Sequence, residues 1–405
     1  MAEWISRTLG EVTSFIAKGI PPKYTKKESK NTIRVLNQKC NRNFEISYVE
    51  SRLHNVELKK VPEDKYLQTG DVLINSTGTG TAGRVAQIFE IPTPTTVDGH
   101  MILIRPTDEI DPLYYGYAIK SYQKKVENLA EGSTGQTEIN RQRLQDEICI
   151  TFPRDKVLQK EIGTFLFQID EKIKNNKQIN NNLLEQAQAI FKSWFVDFDP
   201  FNGTMPSDWC VGTIDDLAKE IVCGKTPSTK NAEYYGSDIP FITIPDMHEK
   251  IYVVTTERYL SLLGANSQVK KTLPRNSICV SCIGTAGLVI LVAEESQTNQ
   301  QINSIVPKNG FSPYFIYLLM QTLSGIINKL GQSGSTIINL NKSQFSKIQV
   351  IIPVISTMAD FDKIVSPIFE NILQNQKENL SLASLRDTLL PKLMSGELDV
   401  SNINF

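Results

Sequence analysis

The chain has 405 residues, a net charge of −1 and 40% apolar residues, enough for about two or three domains that each bury a core. Near-neutral charge excludes a polycation that coats nucleic acid indiscriminately, but leaves room for a local basic footprint. MAEWISRTLGEV has no charged-then-apolar signal pattern and no apolar run reaches membrane-span length, so the expectation is a cytoplasmic, non-membrane protein with reduced cysteines.

In chain order, the footprint comes first. Lys18, Lys23, Lys26, Lys27, Lys30, Arg34, Lys39 and Arg42 face only Glu28 in residues 18–42. This is either a solvated loop face or a surface for phosphates. Strands are expected at 71–75, 84–89 and 101–104, with Gly and Pro between them. Tyr114, Tyr117, Ala118, Tyr122 and Val126 predict a helix over 113–130. A polar loop with Ser133, Thr134 and Gln136 follows, then a strand at 148–152 closed by Pro153. The second half repeats the order. Strands at 277–281 and 288–292 flank a turn, a helix lies near 313–329, a loop carries Ser333, Ser335 and Thr336, and a strand at 348–352 ends at Pro353.

The repetition extends to short motifs. Trp4-x4-Leu9-Gly10-Glu11-Val12 returns as Trp209-x4-Ile214-Asp215-Asp216-Leu217, and Gly80-Thr81-Ala82-Gly83 as Gly284-Thr285-Ala286-Gly287. Asp98-Gly99-His100 is answered by Asn299-Gln300-Gln301, and Ile139-Asn140 by Leu340-Asn341.

Each half ends in a heptad helix. Ile162, Leu166, Ile169, Ile173, Asn176, Asn180, Leu183, Ala187 and Ile190 alternate steps of four and three. Phe361, Val365, Ile368, Ile372, Asn375, Asn379, Leu382, Arg386 and Leu389 repeat that spacing 199 residues later. Each is a coiled-coil seam of ~42 Å at ~1.5 Å per residue, and the simplest partner for one is the other. Antiparallel pairing is expected. A parallel pair would stretch the linker before Trp209 close to its full reach of ~3.3–3.6 Å per residue. In a symmetric register Asn176 would face Asn375 and fix the alignment.

Several motifs invite chemistry. Gly78-Thr79-Gly80-Thr81-Ala82-Gly83 matches G-x-G-x-x-G, but a strand rather than a helix is expected next, and Arg84-Val85 stands where a phosphate loop needs Lys-Ser/Thr. The reading favoured is a tight turn between paired strands. Cys279-Val280-Ser281-Cys282 lacks a second pair or suitable histidines for zinc. No base-methyltransferase, nuclease, helicase or Ser/His/Asp constellation is found, and three histidines leave few candidates for acid-base work.

What remains is polar loop chemistry suited to phosphates and base edges. Lys225, Thr226, Ser228 and Lys230 lead into Tyr234 and Tyr235, and their first-half counterpart contains Lys18, Lys23, Tyr24, Lys26 and Lys27. The Ser/Thr/Gln loops at 133–136 and 333–336 form a second set.

These residues resemble the specificity subunit of type I restriction-modification systems over essentially the whole chain. The resemblance rests on Gly224-Lys225-Thr226-Pro227-Ser228, Tyr234-Tyr235-Gly236, the two Gly-Thr-Ala-Gly elements and Asn299-Gln300-Gln301. Its most specific stretches are Ile190-Phe191-Lys192-Ser193-Trp194-Phe195-Val196-Asp197-Phe198 and Leu389-Leu390-Pro391-Lys392-Leu393-Met394-Ser395-Gly396-Glu397-Leu398. It implies a non-catalytic DNA-binding chain with two target-recognition domains, each reading half of a split duplex site. Two methyltransferase subunits using S-adenosylmethionine would dock on it to methylate adenines, and two restriction subunits using ATP and Mg would complete the nuclease. No cofactor is implied on this chain. The first half departs from the pattern: Lys18-Gly19-Ile20-Pro21-Pro22 replaces the Thr-Pro-Ser element. The other readings are a stand-alone S-adenosylmethionine-dependent methyltransferase using the Gly78 loop and a coiled-coil protein scaffold.

The expected fold is α+β. Two similar mixed α/β domains (1–153 and 201–353) are each followed by a long helix (154–200 and 354–405), and the helices form an antiparallel coiled coil with pseudo-twofold symmetry.

Overall fold

The computed structural model describes residues 3–132, 137–331 and 339–398. The loop candidates Ser133, Thr134, Gln136, Ser333, Ser335 and Thr336 lie outside the described residues. The chain divides into two compact units, Met1–Lys172 with Leu382–Phe405, and Ile173–Ser381. Each holds one α/β repeat and part of both long helices, Lys156–Phe195 and Ile355–Ser395. No helix among the described residues is long and apolar enough to cross a membrane.

In the first unit, Trp4–Thr8 pairs antiparallel with Cys149–Pro153 and ties the ends of the repeat together. The main sheet runs Thr13–Lys18, Met101–Pro106, Val72–Asn75, Val85–Gln87. All of Val72–Asn75 is buried, as expected of a strand paired on both edges and covered on both faces. A second sheet runs Thr95–Val97, Thr32–Leu36, Arg52–Asn55, Tyr24–Thr25; of the basic stretch it holds Arg34 on a strand, with Lys26, Lys27 and Lys30 on the connection between Tyr24–Thr25 and Thr32–Leu36. Leu36, Val97, Leu73, Met101 and Leu103 form the apolar layer between them.

The helix expected over 113–130 is two helices, Pro112–Ser121 and Gln123–Asn128. Asp111 caps the first through N–H bonds from Leu113 and Tyr114, and Pro112 supplies the preset φ of a first turn. The break falls at Tyr122, which leaves helical geometry at ψ 6°. Periodicity alone continues across such a joint, because the apolar face does.

The second unit repeats this frame. Cys210–Thr213 pairs with Gln349–Ile352, and the main sheet runs Ala218–Cys223, Ile302–Pro307, Ile278–Ser281, Val289–Val292, Tyr252–Val253. Its covering helix, Pro313–Gly331, is unbroken.

The seam residues are buried or half-buried in both units. Ile162, Leu166 and Ile169 are buried and Leu382 half-buried in the first. In the second, Ile173, Asn176, Phe361, Val365 and Ile372 are buried, with Leu183, Ile368 and Asn375 half-buried. Within the second unit the helices run antiparallel. Asn176 donates to Asn379 at 2.9 Å, and Asn375 donates to Asn180 at 2.8 Å.

That pairing corrects the expected facing of Asn176 and Asn375. Reversing one helix exchanges its steps of three and four. A position followed by a four-residue step therefore meets one preceded by it. The result is a two-layer asparagine cluster, with Asn176 also donating to Glu378.

The first unit replaces amides with charge. Asp170 accepts from the Tyr117 hydroxyl at 2.7 Å and pairs with Lys120 at 3.3 Å and with Arg386. Burial alone would raise the Asp170 carboxyl, but Lys120, Arg386 and Tyr117 outweigh it and hold it below its ordinary value. Burial lowers the Lys120 ammonium to about 8 despite Asp170, helped by repulsion from Arg386.

Both family-like terminal motifs have structural explanations. In the second unit, Phe195 packs against Trp209 at 5.6 Å, Phe361 at 5.0 Å and Phe315 at 4.8 Å between ring centroids. The end of the first long helix is thereby built into the start of the second repeat. In the first unit, Gly396 has φ +76°, and an added Cβ would lie 2.6 Å from the Trp4 ring. Trp4 and Trp209, equivalent in sequence, therefore each receive the end of a long helix.

Candidate nucleic-acid interface

Three loops meet at one edge of each main sheet, and backbone hydrogen bonds fix their correspondence. Gly19 donates to Met101 O at 3.1 Å and Ile20 to Val97 O at 2.9 Å. Gly224 donates to Ile302 O at 3.1 Å and Lys225 to Thr298 O at 2.9 Å. A Cβ on Gly19 would sit 2.2 Å from Asp98 O, and on Gly224 2.1 Å from Asn299 O. The glycine in each loop is required by this close backbone approach.

The second loop is an Asx turn. Asp98 accepts from the His100 N–H at 3.0 Å, and Asn299 from the Gln301 N–H at 3.1 Å. The third is the hairpin turn between antiparallel strands. Gly83 N donates to Asn75 O and Gly287 N to Ser281 O, both at 2.9 Å. Gly83 has φ +85° with Glu127 at its back, and Gly287 has φ +88° with Ser324 at its back.

These bonds make Asn75 the equivalent of Ser281, whereas carrying the match of Gly80–Gly83 with Gly284–Gly287 back without a gap would pair it with Cys279. Gly83 follows Asn75 by eight positions, whereas Gly287 follows Ser281 by six. The first turn is two residues longer, and that insertion supplies the extra glycine of the apparent G-x-G-x-x-G. Val85–Gln87 follows as a strand, so no helix N-terminus is available for a cofactor phosphate.

The Cys279 and Cys282 thiols are buried, and burial pushes them up to about 12 and about 11. A thiolate is therefore disfavoured at either position. No group of three metal-ligating side chains occurs among the described residues.

The sequence candidates fall into different roles. Lys18 is ion-paired with Glu138. Lys23, Lys26 and Lys27 are exposed and have no ion pair among the described residues. Tyr24 is exposed, with the Arg52 guanidinium 5.0 Å from its ring centroid, and its hydroxyl donates to Asp98 at 3.4 Å. Burial, then the Asp98 charge, raises this phenol, so it remains a donor. In the second unit Lys225, Ser228 and Lys230 are exposed. Thr226 donates to the Gln300 carboxamide oxygen at 2.7 Å. The Tyr235 hydroxyl is spent on Pro227 O at 3.0 Å, and Tyr234 is half-buried with its carbonyl accepting from Ser261 N. A polar cavity of about 480 Å³ adjoins the first edge, lined by Lys18, Glu138, Asn140, Arg141, Gln142 and Gln145.

Sequence reasoning missed the side chains that brace the edge. Lys65 donates to Gly19 O at 3.3 Å and Lys271 to Cys223 O at 2.8 Å. Gln38 donates to Thr77, whose hydroxyl meets His100 Nδ1 at 3.0 Å. The Asp98-Gly99-His100 match marked the place, but nothing in sequence joins it to Gln38.

A family model described as the type I restriction modification DNA specificity domain matches residues 1–185 and 206–382. The type I restriction enzyme HindI specificity subunit of Haemophilus influenzae is 31% identical over 470 aligned positions, covering 98% of this chain and 100% of that protein. The MjaIX specificity subunit of Methanocaldococcus jannaschii is 26% identical, covering 89% and 85%. The crystal structure of a type I restriction-modification S subunit from M. genitalium superposes with a TM-score of 0.63 at 19% identity, covering 97% of this chain and 96% of that one. The last likeness is one of fold.

Proposed function

Since the chain belongs to the type I restriction-modification DNA specificity family, as a non-catalytic specificity subunit, we propose that each repeat reads one half of a split duplex site through its three-loop edge. The single observation that carries this is the duplication of that edge: the same glycine approach, Asx turn and hairpin turn recur with different side chains at their tips. Lysines at the rim would meet phosphates and set salt dependence, while the loop tips would meet base edges.

Two methyltransferase subunits dock on this chain in the proposed complex and methylate an adenine in each half-site with S-adenosylmethionine. Restriction subunits using ATP and Mg complete the nuclease. The segments 1–153 and 201–353 act as recognition domains, and 154–200 and 354–405 as the spacer that sets the unread gap.

The test is to map modified adenines in cells carrying the neighbouring methyltransferase, with and without this chain. A split motif that appears only with the chain is expected. An identical methylation pattern in both would sink the reading.

A further inference from the structure

We propose that His100 is a specificity-determining residue of the first repeat, presenting its Nε2–H as a single donor to an acceptor on a base edge. This deepens the reading above and rests on it. The geometry is a relay. The Gln38 side-chain amide donates to Thr77 Oγ1, and Thr77 Oγ1 lies 3.0 Å from His100 Nδ1. With one lone pair of its oxygen taken by Gln38, the Thr77 hydroxyl can give its proton to Nδ1; in the proposed arrangement it does, which leaves the neutral ring's own proton on Nε2. His100 is exposed, and Nε2 has no partner among the described residues.

The fold does not need this side chain. The turn is held by the Asp98 carboxylate on the His100 N–H and by Ser76 N on His100 O at 2.9 Å. The second repeat makes the same backbone bonds with Gln301 and Cys282. Where the first repeat has Thr77 bridged to Glu138, the second has Ile283 bridged to Asn339, and Ile283 offers no hydroxyl for such a relay. The relay is therefore a feature of one tip, outside the shared scaffold. Three polar side chains from distant segments are ordered at an exposed edge, which costs side-chain entropy and leaves one donor unspent.

A lone N–H donor selects by what it rejects. In the major groove guanine offers N7 and O6, adenine N7 and thymine O4, whereas cytosine offers an amino donor. His100 would thus discriminate against cytosine at one position of the half-site read by the first repeat.

The experiment uses the chain assembled with its methyltransferase. Binding is measured to the mapped site and to duplexes carrying each alternative base at every position of both halves. His100→Ala is expected to lose ~2- to 12-fold discrimination at one base pair in one half-site, the scale of a single hydrogen bond. Every position of the other half should keep its wild-type discrimination, which also shows that the complex is folded. Thr77→Val should lose part of the same discrimination. An equal loss of affinity for all duplexes, or unchanged discrimination, would overturn the proposal. Both outcomes differ from failure of the underlying reading, in which the wild-type complex itself shows no split site. With only three histidines in the chain, nitrogen NMR of the ring can also report the tautomer. The Nε2–H form is expected at His100, and the Nδ1–H form would contradict the relay.

Discussion

The two repeats share a frame and differ at its tips. Gly19 and Gly224 approach the opposing backbone alike, both Asx turns close on the second following N–H, and both hairpin turns end on a positive-φ glycine against the covering helix. On this frame the first repeat places an eight-position turn, the Gln38–Thr77–His100 relay and a basic second sheet. The second places a shorter turn, Ile283 and a Thr226–Gln300 pair. If the tips read DNA as proposed, scaffold and readout are carried by different residues, and the readout could change without refolding the scaffold.

The largest test of this separation removes scaffold charge. Asp170→Ala should cost about 3–5 kcal/mol, because Lys120 and Arg386 would remain half-sequestered without their carboxylate. Denaturant titration would measure it; a loss below about 1 kcal/mol would mean that solvent already screens the cluster. The pH dependence has two parts. The Asp170 contribution is present above its unfolded value of 3.8 and is lost as pH falls through its lower folded value. Lys120 is lowered, so between about 8 and 10.5 the unfolded chain binds the extra proton and stability rises with pH. A Lys120→Met variant should lack that rise.

Next is the shared glycine. Gly224→Ala drives a Cβ into Asn299 O and should cost about 1–3 kcal/mol, and Gly19→Ala a similar amount. Thermal melting would show whether the two positions respond alike. If only one did, the structural equivalence of the edges would be wrong.

A smaller effect of opposite sign is expected in the helices. Replacing Asn176 and Asn379 together by Leu removes a polar layer and should raise the melting temperature while loosening register. Unchanged spacing between modified adenines, with higher stability, would show that register is set elsewhere. The smallest effect belongs to the rim. Lys26→Ala with Lys27→Ala should weaken DNA binding uniformly and lower the salt slope by about 1 for each phosphate that is no longer neutralised. A changed target motif would instead make these lysines base readers.

The sequence exposed what repeats and what is periodic. The two halves and both long helices could be read from spacing, because a heptad seam and a duplicated motif leave regular marks, and the antiparallel sense followed from the limited reach of the linker before Trp209. The Asn176–Asn375 facing failed because reversing a helix exchanges its steps, a rule about partners and not about either helix alone. The match of Gly80–Gly83 with Gly284–Gly287 does not carry back into the preceding strands, because a two-residue insertion before Gly80 is invisible until strand pairing fixes the register. The His100 relay was out of reach for a related reason. Gln38, Thr77 and His100 come from three segments, and only the folded sheets bring them together.

The most direct test of the central claim exchanges residues 1–150 for the corresponding segment of another specificity subunit and maps modified adenines with the native methyltransferase. One half of the methylated motif should change, with the other half and the gap unchanged. A change in both halves together would contradict two independently reading repeats.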